Sequence, residues 1–114
     1  MCAPIVLAVA IEDGQVTLDL GLPADLPCFL GHFPNFPVLA GVVQLDWAMR
    51  LGVAHLACGQ PCATDFRVKF KRVIMPGNKL TLVLRHDAAR GRLDFVYRNG
   101  DLVASEGRVT LAPP

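Results

Sequence analysis

Residues 39–57 read LAGVVQLDWAMRLGVAHLA, a run without proline in which apolar residues fall on almost every helical face. A helix of that kind is buried inside a fold, not laid half in water on its surface. Gly52 is tolerable within it, and Gly59 followed by Pro61 ends it. The flanks are sheet. Upstream, residues 4–11 (PIVLAVAI) and 15–22 (QVTLDLGL) are β-prone runs joined by Glu12-Asp13-Gly14, a hairpin signal. Downstream, residues 64–75 alternate: Phe66, Val68 and Phe70 point one way while Arg67, Lys69 and Lys71 point the other. That pattern marks a sheet with one face on a core and one in water. Pro76-Gly77-Asn78 is a turn, and further strands are expected at about 79–86, 92–98 and 102–111. Two strands, one apolar helix and four more strands have a simple solution. An antiparallel sheet curls around the central helix and buries it on the concave face, an α+β architecture.

A chain of 114 residues is expected to form a single domain, 1–114, around one core. With 53% hydrophobic and 18% charged residues it is rich for a lone small domain, so apolar surface is expected to be buried against a second copy. A homodimer is the expectation. The net charge of +1 supplies no field for nucleic acid or an anionic membrane. No apolar run reaches the roughly 20 residues of a transmembrane helix. Met1-Cys2-Ala3-Pro4 lacks a basic n-region and Glu12-Asp13-Gly14 interrupts the apolar run behind it, so no secretory signal is expected and the cytoplasm is the expected location. Cysteines 2, 28, 58 and 62 are then expected as free thiols. Cys58 and Cys62 have three residues between them and no second ligand pair nearby, a poor zinc site, so no metal is expected.

One segment carries chemistry. Residues 31–48 read GHFPNFPVLAGVVQLDWA, which sets His32 in a tight aromatic-proline loop that feeds directly into the helix. Pro34 and Pro37 restrict their own φ and the residues before them, so the loop holds the imidazole. The helix start around Gly41 presents backbone N–H groups without intrahelical acceptors, suited to a developing oxyanion. Asp46 follows on the second turn. An imidazole base, oxyanion donors and a carboxylate suit removal of a proton α to a carbonyl, followed by loss of a β-leaving group. The α proton of a thioester is weakly acidic, and its enolate needs donors aimed at the oxygen. The departing hydroxyl needs a proton, from a carboxylic acid directly or through water.

The same segment resembles the active-site signature of the FabA/FabZ-type 3-hydroxyacyl-acyl carrier protein dehydratases, close to G-H-F-P-x-x-P-[VIL]-[ML]-P-G-V-x-Q-[LV]-[DE]. Its Gln44-Leu45-Asp46-Trp47-Ala48 ending is similar to the small ApeI-like branch. The resemblance implies a hotdog fold and dehydration of a 3-hydroxyacyl thioester, with no cofactor. Position by position it makes His32 the catalytic base, Asp46 the acid and Gly41 the amide that binds the thioester carbonyl. It also implies an acyl carrier protein bearing a phosphopantetheine-linked acyl chain as partner. Two chains pair, and each site takes its histidine from one and its acid from the other. Two departures stand out. Ala40 replaces the usual proline at the helix start, where proline is suited but not required. The acid is Asp, as in the FabA branch, whereas Gln44 is typical of FabZ, which leaves double-bond isomerisation open.

Each residue also has a plainer reading. A histidine alone in a loop is more often structural. Asp46 lies four positions before Arg50, an ordinary helix-stabilising ion pair. His55 suits a helix C-terminus, and His86 sits beside a turn. Trp47, Met49 and Phe36 line a core or a substrate tunnel. The Arg67/Lys69/Lys71 row is a wet sheet face, or Lys69, Lys71 and Arg72 dock an acidic carrier protein by electrostatic steering. Two competing functions are a hotdog thioesterase, which would not need His32, and a non-catalytic hotdog subunit. At least one cis peptide is expected in the loop from residue 32 to 37, which holds the X-Pro bonds Phe33-Pro34 and Phe36-Pro37, where the cis penalty is only about 0.5–1 kcal/mol.

Overall fold

The computed structural model describes residues 2–29 and 38–112. Strands β1 (Ile5–Glu12) and β2 (Gln15–Gly21) form the expected hairpin, and a single 3-10 turn follows at Pro27–Phe29. Then come helix α1 (Gly41–Leu56) and strands β3 (Pro61–Phe70), β4 (Lys79–Asp87), β5 (Arg92–Asn99) and β6 (Leu102–Leu111). The strands make a six-stranded antiparallel sheet in the order β1-β2-β4-β5-β6-β3. The hairpin turns place Gly14 (φ 66°) and Gly100 (φ 62°) in the left-handed region that glycine enters without a Cβ penalty. His32 and the two X-Pro bonds lie in 30–37, outside the described residues.

The period-2 pattern explains the core. Val16, Leu18 and Leu20 on β2, Leu80, Leu82 and Leu84 on β4, and Leu93, Phe95 and Tyr97 on β5 are all buried on one face. Leu45, Trp47 and Ala48 of α1 pack on that face. Gly52 is what allows the approach, since a Cβ there would lie 2.6 Å from Leu93 Cδ2. The sheet with α1, the single α-helix among the described residues, is the hotdog architecture.

Four features differ from the sequence reading. First, α1 is buried on one stripe and not all round: Gln44, Leu45, Trp47, Ala48 and Gly52 are covered, while Val42 is 74% exposed. One sheet covers one side of a helix, and the remaining apolar side faces outward. Second, β3 starts at Pro61 and leaves the ladder after Phe70, where the Lys71 and Arg72 amides both donate to Ala104 O at 2.9 and 3.0 Å. Third, the expected alternation of a covered and a wet face along β3 is not seen in its burial: of Phe66, Val68 and Phe70 only Val68 is partly covered, while Phe66 is 45% and Phe70 57% exposed. Fourth, the expectation of four free thiols is corrected for two of them. Cys2, just before β1, and Cys28, in the 3-10 turn, are joined as a disulfide with a Cα–Cα separation of 5.6 Å, while Cys58 and Cys62 are free. The Trp47 indole N–H donates to Cys2 O at 3.1 Å and brings the N-terminal segment to the helix.

Candidate active site

The start of α1 is unusual in having no side-chain cap. Ala40 occupies the N-cap position with extended backbone (φ −62°, ψ 146°), and its carbonyl accepts from the Val43 and Gln44 amides at 3.1 Å. The Gly41 and Val42 amides precede these and, as first-turn donors, have no acceptor within the helix. Gly41 sits under the ring of Phe70: a Cβ at this position would lie 2.5 Å from Phe70 Cζ. A larger residue here would have to push the half-exposed Phe70 ring aside. Val38–Gly41, Gln44 and Phe70–Val73 line one cleft, which brings Lys71 and Arg72 to the helix start.

Asp46 lies one and a half turns further along, half-buried. Arg50 Nε stands 3.0 Å from each of its carboxylate oxygens, so the ion pair expected from the spacing is formed. This pair is largely solvent-exposed, where such interactions contribute about 0.3–0.5 kcal/mol. Asp46 lines a second cleft with Met49, Arg50, Val53 and Pro61. Gly41 and Asp46 thus open onto different clefts of one chain. His32 is not among the described residues, so its distance from either is not part of this geometry.

The basic row divides. Lys69 faces an outer groove with Arg67, Glu106 and Arg108. Lys71 Nζ is paired with Glu106 at 3.2 Å. Arg67 and Arg108 are register partners across the β3–β6 ladder, and Asp94, opposite Arg108 on β5, and Glu106 line the same groove. Among the described residues no cluster of three or more His, Cys, Asp or Glu is placed to hold a metal, and no helix is long and apolar enough to cross a membrane.

Sequence reading missed the polar network beneath α1. Gln44 is 3% exposed, yet its side-chain amide donates to Leu39 O at 3.0 Å and its Oε1 accepts from Ser105 at 2.7 Å. The hydroxyl of Tyr97 donates to the Gln44 carbonyl at 2.6 Å. Burial raises the Tyr97 hydroxyl well above its ordinary pKa, and the nearby Asp46 charge adds to the effect. Gln44 in a run of apolar helix residues was the available signal; its partners lie 53 and 61 positions away.

Comparison with known proteins places these features in a family context. The model of the ApeI-like family, described as ApeI dehydratase, matches residues 8–108. The chain is similar to the 3-hydroxyacyl-[acyl-carrier-protein] dehydratase FabZ of Streptococcus mutans, 27% identical over 96% of this chain and 87% of that protein. Among solved structures it resembles a chain of the dehydratase heterocomplex ApeI:P from Xenorhabdus doucetiae, with a TM-score of 0.89 and 33% identity over 97% of this chain and 99% of that one. The dehydratase domain of PpsC from Mycobacterium tuberculosis shares the fold, with a TM-score of 0.73 at 17% identity over 100% of this chain and 45% of that one.

Proposed function

Because this chain belongs to the ApeI-like dehydratase family, we propose that it removes water from a 3-hydroxyacyl thioester borne by an acyl carrier protein. The product is the trans-2-enoyl thioester. The observation that carries the reading is the helix start: an uncapped α1 whose first residue, Gly41, lines a cleft that also holds Lys71 and Arg72. A thioester carbonyl seated there has its oxygen against a preorganised donor. His32 removes the α proton, negative charge moves onto the carbonyl oxygen, and the C–O bond at the β carbon breaks. Asp46 in its acid form, directly or through a water, donates a proton to the departing hydroxyl, which leaves as water; the proton taken by His32 then passes back to Asp46 through solvent for the next turnover.

We further propose that the working unit is a homodimer whose site takes His32 from one chain and Asp46 from the other. The separation of Gly41 and Asp46 onto different clefts supports this. So do the exposed inner residues of β3, which is an edge strand with a free backbone. Antiparallel pairing of two β3 strands about Phe66 sets Asp65 of each against Arg67 of the other. Lys69, Lys71 and Arg72 are proposed to dock the acidic carrier. Lys71 shares its charge with Glu106, so Lys69 and Arg72 carry most of that attraction.

The purified chain, given a 3-hydroxyacyl thioester, should generate the absorbance of the conjugated enoyl product without releasing free thiol. Thiol release without enoyl product would identify a thioesterase, and neither signal would identify a non-catalytic subunit.

A further inference from the structure

The polar network under α1 has no place in the reaction as described, and it is costly to bury. A leucine in place of Gln44 would fill the same space without two polar side-chain atoms to satisfy, and buried networks of this kind are tolerated only when every member is paired. Here every member is paired, and the partners come from three separate elements. Gln44 reaches back to Leu39 O, Ser105 of β6 holds Gln44 Oε1, and Tyr97 of β5 holds the Gln44 carbonyl. Leu39 is clamped from its other side, where its amide donates to Ile74 O at 2.7 Å. The two residues before Gly41 thus have little freedom, although no side chain caps the helix.

Ser105 has a second connection. It is the register partner of Phe70 in the β3–β6 ladder, and Phe70 is the ring that lies on Gly41. One serine therefore joins the residue that anchors the entry to α1 with the ring that packs beside its first residue. Both constraints bear on the backbone at Gly41.

We propose that Tyr97 and Ser105 are positioning residues for dehydration, acting through Gln44 to aim the Gly41 amide at the thioester oxygen. They touch no substrate atom. Their effect falls on the transition state, because an amide misdirected by a few tenths of an ångström still admits substrate but supports the enolate poorly. This inference rests on the reading of Gly41 and Asp46 given above.

The test compares Tyr97→Phe, Ser105→Ala and Ser105→Thr with Asp46→Asn, at a temperature where circular dichroism shows each variant folded. Tyr97→Phe and Ser105→Ala should each lower kcat about tenfold or more with KM within about twofold, the signature of support lost only in the transition state. Ser105→Thr, which keeps the hydroxyl, should recover most of the lost kcat. A network that only stabilised the fold would lower Tm and leave kcat of the folded enzyme intact. Wild-type kcat in both Tyr97→Phe and Ser105→Ala, with Asp46→Asn inactive, overturns the positioning role and leaves the reaction standing. Full turnover in Asp46→Asn overturns the site and the positioning role with it. If Ser105→Ala does not fold, Tyr97→Phe decides the matter alone.

Discussion

If a second chain covers the inner face of β3, replacing Phe66 by serine should weaken the dimer by a calculable amount. Phe66 is 45% exposed in the single chain. A phenylalanine carries roughly 150–250 Å² of buriable surface, so about 70–110 Å² remains to be covered by the partner. At about 25 cal/mol per Å² this is about 2–3 kcal/mol per chain. A two-fold interface loses it twice, about 4–6 kcal/mol in all, and each 1.4 kcal/mol is a factor of ten in Kd. Phe66→Ser should therefore raise the dimer dissociation constant by about 10³-fold or more. Sedimentation equilibrium over a wide concentration range reads it directly. The matched control is Ile11→Ser on β1, which is 63% exposed at the opposite edge of the sheet and should leave the dimer unchanged. An unaltered dissociation constant for Phe66→Ser, or an equal loss from Ile11→Ser, would refute pairing through β3.

Other outcomes follow from the same geometry. His32→Ala should abolish enoyl formation with little loss of stability, and Asp46→Asn should cut turnover by about 10²-fold or more, the usual scale for acid-base groups; initial rates with a 3-hydroxyacyl thioester check both. The Cys2–Cys28 bond spans 26 positions, for which chain entropy gives about 3.5 kcal/mol. A reductant should therefore lower Tm by about 10 °C or more, and thiol titration in denaturant should count two thiols before reduction and four after. Lys69→Glu with Arg72→Glu should raise KM for carrier-bound substrate but not for a small thioester, an effect that fades with salt because exposed charges are screened over about 8–10 Å. Equal losses on both substrates would instead indicate damaged folding.

The elements that were legible in sequence are those governed by local period. The α1 run has no proline and ends at glycine and proline, while the alternation of Leu80, Leu82 and Leu84 or of Leu93, Phe95 and Tyr97 marks strands with one covered face. His32, Gly41 and Asp46 could be singled out as candidates because they fall within one contiguous motif. What was not legible depends on register and on the approach of distant segments. That Ser105 reaches Gln44 follows from β6 sliding into one particular pairing with β3 and β5. That Cys28 meets Cys2 follows from where a 3-10 turn delivers it. The half-covered state of Phe66 was foreshadowed only by the composition. An alternating strand announces an inner face but not what covers it.

The order of strands in the sheet has a consequence for the timing of synthesis. Gln44 leaves the ribosome well before its two hydroxyl partners, Tyr97 and Ser105, which sit on the last two strands of the sheet. β3 likewise waits for β6, since Pro61 pairs with Leu111 and Phe70 with Ser105. At about 5–20 residues per second, α1 spends several seconds with its polar anchors unmet and its apolar stripe uncovered. Gln44 meets the last of its anchors only when β6 closes the sheet.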